Sequence, residues 1–266
     1  MELEVWRVGR LGYICASDAD DGFDRNRLGC DAGRDISLLP FRMRHLGVII
    51  DGNRRWAREH KVPTLEGHHR GYENVKTIGL AALERGIEFF SVFAFSTENW
   101  KRSKEEVGYL MGLLLVALTS ELDFFVEHGA RLRVVGARDG LGGKLQEAIT
   151  AAQEKTAGGT RGQINLCVNY GGRAEIVEGV RRIVSQARTP EEIDEACVGQ
   201  ALWSVGIPDS DMIVRTSGEE RLSGFLTWGS VYSELKFIKK YWPDFTVEDL
   251  DDCLRDFESR KRRFGK

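Results

Sequence analysis

The segment Asp51-Gly52-Asn53-Arg54-Arg55-Trp56-Ala57 sets a carboxylate, a glycine and two arginines directly after the apolar run 46–50. A carboxylate there could hold a hard cation such as Mg2+ through oxygen. Gly52 would let the backbone come close to a ligand. A following helix would aim its free N–H groups at an anion, with Arg54 and Arg55 beside them. The set suits a diphosphate, although a capping Asp and two solvated arginines would read the same way. Further polar clusters follow other apolar runs: Ser96-Thr97-Glu98-Asn99-Trp100, Asn169-Tyr170-Gly171-Gly172-Arg173, and the stretch 215–223, RTSGEERLS. Arg215, Arg221 and Ser223 within nine residues suit a second phosphate group, and Glu234 is another candidate metal carboxylate. An N-cap or a turn explains each cluster taken alone. Taken together at successive strand ends, where open α/β sheets bind ligands, they suggest a crevice with two anionic subsites and a divalent metal. No Walker A, GxGxxG, HExxH, GxSxG or HxE…CxxC pattern is present, so nucleotide hydrolysis, hydride transfer and zinc hydrolysis lack support.

The elements that must position these groups alternate along the chain. Apolar runs predict strands at 46–50, 89–95, 131–135, 164–169, 211–215 and 235–238. Helices are predicted at 54–60, 68–85 (closed by Gly86), 143–156, 174–187 and 246–262, and another opening at Thr189-Pro190-Glu191-Glu192. Ser103, with Glu105 and Glu106 behind it, is a capping-box pattern opening a helix predicted to run to about His128. Over 105–128 that helix would span roughly 36 Å at ~1.5 Å per residue. Its stretch 107–118, VGYLMGLLLVAL, is apolar nearly all round and must be enclosed, either as a core helix or as the wall of a hydrocarbon cavity. Strands separated by helices imply βαβ crossovers: an α/β fold, one domain with a mostly parallel central sheet of about six strands.

Composition limits the alternatives. The 266 residues carry 38 Lys and Arg against 41 Asp and Glu, a net charge of −3, with 42% hydrophobic and 30% charged residues. This balance is globular. It argues against a disordered chain and against a partner such as nucleic acid held by a broad positive field. Cys15, Cys30, Cys167, Cys197 and Cys253 form no CxxC pair and read as reduced thiols in a cytoplasmic protein. The apolar run 107–118 falls short of the ~20 residues of a spanning helix. Residues 1–42, rich in Gly, Asp and Arg and without sustained periodicity, read as a disordered or loosely attached N-terminal extension, with no signal-peptide pattern. The folded domain is then 43–266, and removing 1–42 is expected to leave activity intact. Arg260-Lys261-Arg262-Arg263 either complements a helix dipole or touches anionic lipid headgroups.

Six motifs in one order carry a resemblance: HLGVIIDGNRRWA (45–57), GH (67–68), FSTENW (95–100), NYGGR (169–173), RTSGEERLS (215–223) and WPDF (242–245). Over 43–266 the chain resembles the cis-prenyltransferases, most closely the bacterial undecaprenyl diphosphate synthases. The resemblance implies helices enclosing an apolar tunnel. It also implies Mg2+-dependent condensation of isopentenyl diphosphate with an allylic diphosphate such as farnesyl diphosphate, giving a long polyprenyl diphosphate carrier lipid. It assigns Asp51 to catalysis and Mg2+, Asn99 to catalysis, and Glu234 to a metal held across a homodimer. Gly52, Asn53, Arg54, Arg55, Trp56, His68, Ser96, Thr97, Glu98, Trp100 and Arg102 match the allylic diphosphate site; Arg215, Arg221 and Ser223 match the isopentenyl diphosphate site. Location in the cytoplasm, with peripheral contact at the inner face of the membrane, is the matching expectation. Departures exist. Arg54 stands where Gly is frequent, and Pro63 or Thr64 stands where Arg is frequent. Tyr72 stands where a smaller residue is common and favours a short or branched product, whereas small Ala94 favours a deep tunnel. A non-catalytic subunit of the same fold would lack Asp51 and the paired arginines.

Overall fold

The computed structural model describes residues 43–260; the expectations for 1–42, for Cys15 and Cys30, and for Lys261, Arg262 and Arg263 lie outside the described residues. The sequence-predicted strands form one sheet in the order β3-β4-β2-β1-β5-β6, with every pairing parallel. β1 (His45–Ile49) is buried at all five positions because helices cover both faces, which is why it reads as an unbroken apolar run rather than an alternation. Helices α1 (Asn53–Glu59) and α2 (Thr64–Glu84) lead to β2 (Phe89–Ser96). Then come α3 (Lys104–Leu118), α4 (Leu122–Glu127), β3 (Ala130–Val135), α5 (Gly143–Thr156), β4 (Gly162–Tyr170), α6 (Gly172–Ser185) and α7 (Glu195–Ala201). The chain closes with β5 (Met212–Arg215), β6 (Glu234–Phe237) and α8 (Val247–Ser259).

One core packs Leu46, Val48, Phe90, Val92 and Ile164 of the sheet against Ile78, Ala82 and Leu83 of α2. A smaller one on the other side gathers Ile49, Cys167, Tyr170, Ile213, Phe225 and Leu226. From β1 the chain moves toward β2, but from β4 it jumps back across the sheet to β5. The direction of winding therefore reverses between β1 and β5, which opens a crevice beyond their carboxyl ends.

Three helix expectations are corrected. The helix predicted from Ser103 to His128 is two helices. Thr119 leaves helical geometry (φ −128, ψ −88), and its Oγ1 donates back to the Leu115 carbonyl at 2.6 Å. Ser120 Oγ does the same to Val116, so side-chain donors compete with the ladder. The ~36 Å rod becomes a 15-residue helix of about 22 Å. Nor is it enclosed all round: Val116 is 38% exposed. Ser103 caps it by accepting from the Glu106 N–H, but the Glu106 carboxylate does not complete a capping box. Thr189-Pro190-Glu191-Glu192 closes as a single 3-10 turn, and Asp194 rather than Thr189 caps the α-helix that follows. α2 starts at Thr64, directly after Pro63, four residues earlier than predicted. Among the described residues no helix is long and apolar enough to cross a membrane.

Candidate active site

Asp51 and Arg215 meet at the winding reversal. Asp51 follows β1 and Arg215 ends β5. Arg215 Nη2 donates to Asp51 Oδ2 at 2.9 Å, while its Nη1 donates to the Arg221 carbonyl (2.5 Å) and Ser223 Oγ (2.9 Å). The guanidinium is only 4% exposed, so its orientation is fixed by these three contacts. Its Nε is buried without a partner, as are Asn53 Oδ1 and Ser217 Oγ nearby. Unsatisfied buried groups are costly and call for a ligand or ordered water. Thr216 Oγ1 and the Trp242 N–H both donate to the Asp51 carbonyl, which fixes the backbone from which the carboxylate projects. Gly52 has φ +110, and a Cβ there would sit 2.7 Å from the Tyr241 ring, so the turn out of β1 requires glycine.

Arg55 reaches across the crevice. Its Nη2 lies 3.5 Å from Asp51, and Nη1 donates to Glu219 (3.2 Å) and the Ser217 carbonyl (3.3 Å). Glu219 also accepts from exposed Arg221 at 2.6 Å. The expected isopentenyl diphosphate trio is therefore brought together only in part. Arg215 and Ser223 touch, while the Arg221 side chain lies in solvent, tethered to Glu219.

At the other lip, His68 of α2 faces Glu106 of α3. His68 Nε2 lies 3.0 Å from Glu106 Oε1, and Arg102 Nη1 donates to the same oxygen at 2.9 Å. Burial of Glu106 opposes its charge. The hydrogen bond to His68 and the charges of Arg102 and Arg54 outweigh burial and hold its carboxyl below the usual range. Burial likewise pushes the His68 imidazole below its ordinary value, more than its bond to Glu106 raises it. An ionised carboxylate only accepts, so neutral His68 carries its proton on Nε2. Glu106 escaped sequence reading because its carboxylate was assigned to the helix cap, and with Glu105 beside it no local signal singled it out.

The turn 96–102 forms the roof. Asn99 Oδ1 accepts from the Ser96 N–H at 2.9 Å, closing a capping box. Ser96, Thr97, Glu98, Asn99 and Arg102 line the cavity below, as do Gly52, Asn53, Arg54, Arg55 and His68. Two residues expected at the ligand, Trp56 and Trp100, are placed outside the cavity lining. Trp56 is buried, donates to Asp244 at 2.7 Å and stacks on His60, so it anchors α1 away from the cavity. Trp100 lies outside the lining and braces the turn, donating to Asn169 Oδ1 at 2.7 Å and packing edge-on against Phe95. Arg58 and Arg173, not assigned a role from sequence, do line the cavity.

The cavity holds about 1600 Å³ and changes character with depth. Past the polar lip it is walled by Val75, Ala94, Leu110, Met111, Leu113, Leu114, Ala117 and Phe125, with Ile164, Leu166 and Val168 alternating along β4. Those three strand positions span about 13 Å at ~3.3 Å per residue. Ligand pockets for small molecules run roughly 300–1,000 Å³, so this one exceeds a single small ligand. The stretch 107–118 thus forms a cavity wall as well as core.

Asp51 and the orphaned polar atoms around it suit a Mg2+–diphosphate group. Mg2+ typically takes one or two protein carboxylates and fills its shell with phosphate oxygens and water. Among the described residues no group of three His, Cys, Asp or Glu side chains forms a self-sufficient metal cage. Glu234 does not join Asp51 within the chain. It opens β6 opposite Met212, at the amino edge of the sheet, and accepts from Arg260 at 2.7 Å.

A family model described as "Putative undecaprenyl diphosphate synthase" matches residues 49–265. The ditrans,polycis-undecaprenyl-diphosphate synthase ((2E,6E)-farnesyl-diphosphate specific) of Micrococcus luteus is 40% identical over 226 residues, covering 84% of this chain and 91% of that protein. An isoprenyl transferase of Thermotoga maritima is 41% identical over 223 residues, 83% of this chain and 96% of its own length. Among solved structures, lavandulyl diphosphate synthase from Lavandula x intermedia, in complex with dimethylallyl diphosphate, superposes with a TM-score of 0.81 at 35% identity. That match covers 84% of this chain and 98% of the other.

Proposed function

The chain belongs to the undecaprenyl diphosphate synthase family of cis-prenyltransferases, and from that premise we propose that it condenses isopentenyl diphosphate with an allylic diphosphate, farnesyl diphosphate foremost, into a long polyprenyl diphosphate such as undecaprenyl diphosphate. The observation that carries this reading is the single cavity running from the Asp51–Arg215 lip to an apolar wall. A polar head and a long hydrocarbon tail would fit it in one orientation only.

In this reading Gly52, Asn53, Arg54, Arg55, His68 and Arg102 hold the allylic diphosphate, and Arg215, Ser223 and Arg221 hold isopentenyl diphosphate. Asp51 would hold Mg2+, which when bound supplies positive charge to the departing pyrophosphate oxygens. Arg215 contributes by being fixed before substrate arrives, so isopentenyl diphosphate is positioned without reorganising the guanidinium. Binding both reactants in one crevice converts a bimolecular bond formation into an intramolecular one. The apolar wall keeps water from the allylic carbon while the carbon–carbon bond forms, pyrophosphate leaves and the isopentenyl unit gives up a proton to form the new double bond. Each added isoprene unit gains roughly 4 kcal/mol of gross apolar transfer, at ~0.8 kcal/mol per carbon, so growth continues while apolar wall remains.

A homodimer is part of the proposal. β6 is an edge strand with Val231, Tyr232 and Leu235 exposed around it, and Glu234 can reach a metal at Asp51 only from a second copy. We place the catalytic domain at 43–266, in the cytoplasm with peripheral contact at the inner face of the membrane, and with no nucleic acid partner. Incubation with farnesyl diphosphate, labelled isopentenyl diphosphate and Mg2+, followed by chain-length analysis, tests the reading. Label confined to unreacted isopentenyl diphosphate overturns it. Tyr72 in the cavity wall favours a second reading, a short or branched product; a ten-carbon product from dimethylallyl diphosphate, with farnesyl diphosphate inert, would establish that instead.

A further inference from the structure

The apolar half of the cavity contains one polar interruption. Tyr72 and Lys76, a turn apart on α2, both line the cavity amid Val75, Leu114, Ala117 and Phe125. Glu121, in the turn where α3 gives way to α4, accepts from both: from Tyr72 OH at 2.6 Å and from Lys76 Nζ at 2.6 Å. Lys76 also pairs with Glu73 at 2.9 Å, and its ammonium lies 5.0 Å from the Tyr72 ring centre and 5.6 Å from that of Phe124. The Lys76 side chain is 14% exposed. Burial opposes its charge, but the hydrogen bonds to Glu121 and Glu73 outweigh burial, so the ammonium stays protonated. An ammonium, held by carboxylates outside the lining, thus faces a space whose other walls suit hydrocarbon.

Resting on the prenyl-transfer reading, we propose that the Tyr72–Lys76–Glu121 cluster sets product length, stopping the chain by charge rather than by bulk. A growing tail gains by displacing water from Val75 or Leu114. Pressed against Lys76, which Glu121 holds from outside the lining, it strips the remaining water from a buried ammonium and returns no hydrogen bond. The favourable increment per unit ends there although the next five carbons could be accommodated beside a neutral wall. A steric stop depends on the volume of Tyr72 alone; this stop depends on the charges behind it.

Near-isosteric neutralisation separates the two. In Lys76→Met/Glu121→Gln the charges go, side-chain volume is nearly kept, and Tyr72 retains an acceptor. With farnesyl diphosphate, labelled isopentenyl diphosphate and Mg2+, its products are expected to lengthen by about one isoprene unit or more, the gain per carbon now being uninterrupted. Lys76→Arg, which keeps the charge, is expected to give the length of the unmodified chain. Length is read from the products themselves, so a change in rate does not enter. Unchanged or shorter products from the double variant overturn the proposal, as does lengthening by Lys76→Arg. Should the double variant fail to fold, judged by near-UV circular dichroism, Lys76→Gln alone carries the same expectation and the same refutation. An unmodified chain that makes no prenyl product refutes the underlying prenyl-transfer reading, whereas a productive one with indifferent variants refutes only the charge stop.

Discussion

Replacing Asp51 by Asn separates anion binding from turnover. The carboxylate accepts from Arg215 at 2.9 Å and lies 3.5 Å from Arg55. Arg215 is 4% exposed, so the substitution leaves a buried cation with a neutral neighbour. Removing one partner of a fully buried pair costs about 3–5 kcal/mol. The Asp51 side chain is 32% exposed, and solvent screening reduces that to about 1–2 kcal/mol. At roughly 2–4 °C per kcal/mol for a domain of this size, Tm should fall by about 2–8 °C with the fold retained. Without metal, pyrophosphate should bind Asp51→Asn more tightly than the unmodified chain, because one negative charge has left a crevice lined by Arg54, Arg55 and Arg215. Even in bulk-water dielectric a unit charge at ~4 Å is worth about 1 kcal/mol, or roughly fivefold in Kd. Prenyl transfer with Mg2+ should nevertheless drop by at least ~100-fold, the scale of losing one preorganised electrostatic group. Calorimetric titration of pyrophosphate and a product assay on the same protein decide the matter. Turnover within tenfold of the unmodified chain, or pyrophosphate binding that weakens without metal, would refute the reasoning.

Arg221→Ala should raise KM for isopentenyl diphosphate by about tenfold, one charge-assisted hydrogen bond, and move the allylic KM less; steady-state kinetics varying each substrate in turn check this. Trp56→Phe should lose the bond to Asp244 and lower stability by about 1 kcal/mol while kcat stays put; denaturant midpoints and turnover measured together distinguish an anchor from a ligand contact. His45 is buried, its Nδ1–H donating to the Pro208 carbonyl and its Nε2 accepting from Ser91, and burial pushes its imidazole down to about 4. The unfolded chain takes up that proton near 6.5 and the folded one only near 4. Stability present above pH 6.5 is therefore lost as pH falls toward 4, by about 3 kcal/mol at ~1.36 kcal/mol per unit. In His45→Gln the urea midpoint should fall less between pH 7 and pH 4.5 than in the unmodified chain.

The sheet was legible because buried parallel strands read as apolar runs, and the crevice because polar clusters follow those runs abruptly. Asp51 and Arg215 were placed by that logic alone, and the order of winding then brings them to one point. Glu106 was not legible: it meets His68 across 38 residues of sequence, and local spacing carries no such information. The helix break was hidden because Leu118 and Leu122 continue an apolar period straight through Thr119 and Ser120, and neither Gly nor Pro marks the site. What ends the helix is a hydroxyl bonding to its own backbone, a choice made between nearly equal alternatives. Trp56 and Trp100 look like ligand contacts because they sit inside motifs. An indole beside a binding loop serves equally well as the loop's anchor, and only its partner's identity decides between them. Glu234 directly precedes the predicted strand 235–238, a position at the amino edge of a parallel sheet, away from the crevice within one chain.

The break between α3 and α4 also separates two parts of the molecule that one continuous rod would have joined. α3 enters the polar lip by its first turn, through Glu106, and its last turn lines the apolar wall through Leu114 and Ala117. A change in the number of residues at 119–121 alters the far wall while the lip keeps its register. In the proposed reaction, reach into the apolar space and alignment of the reacting heads would then be set by opposite ends of one helix. Such an arrangement lets a chain vary what it makes with little effect on how it makes it.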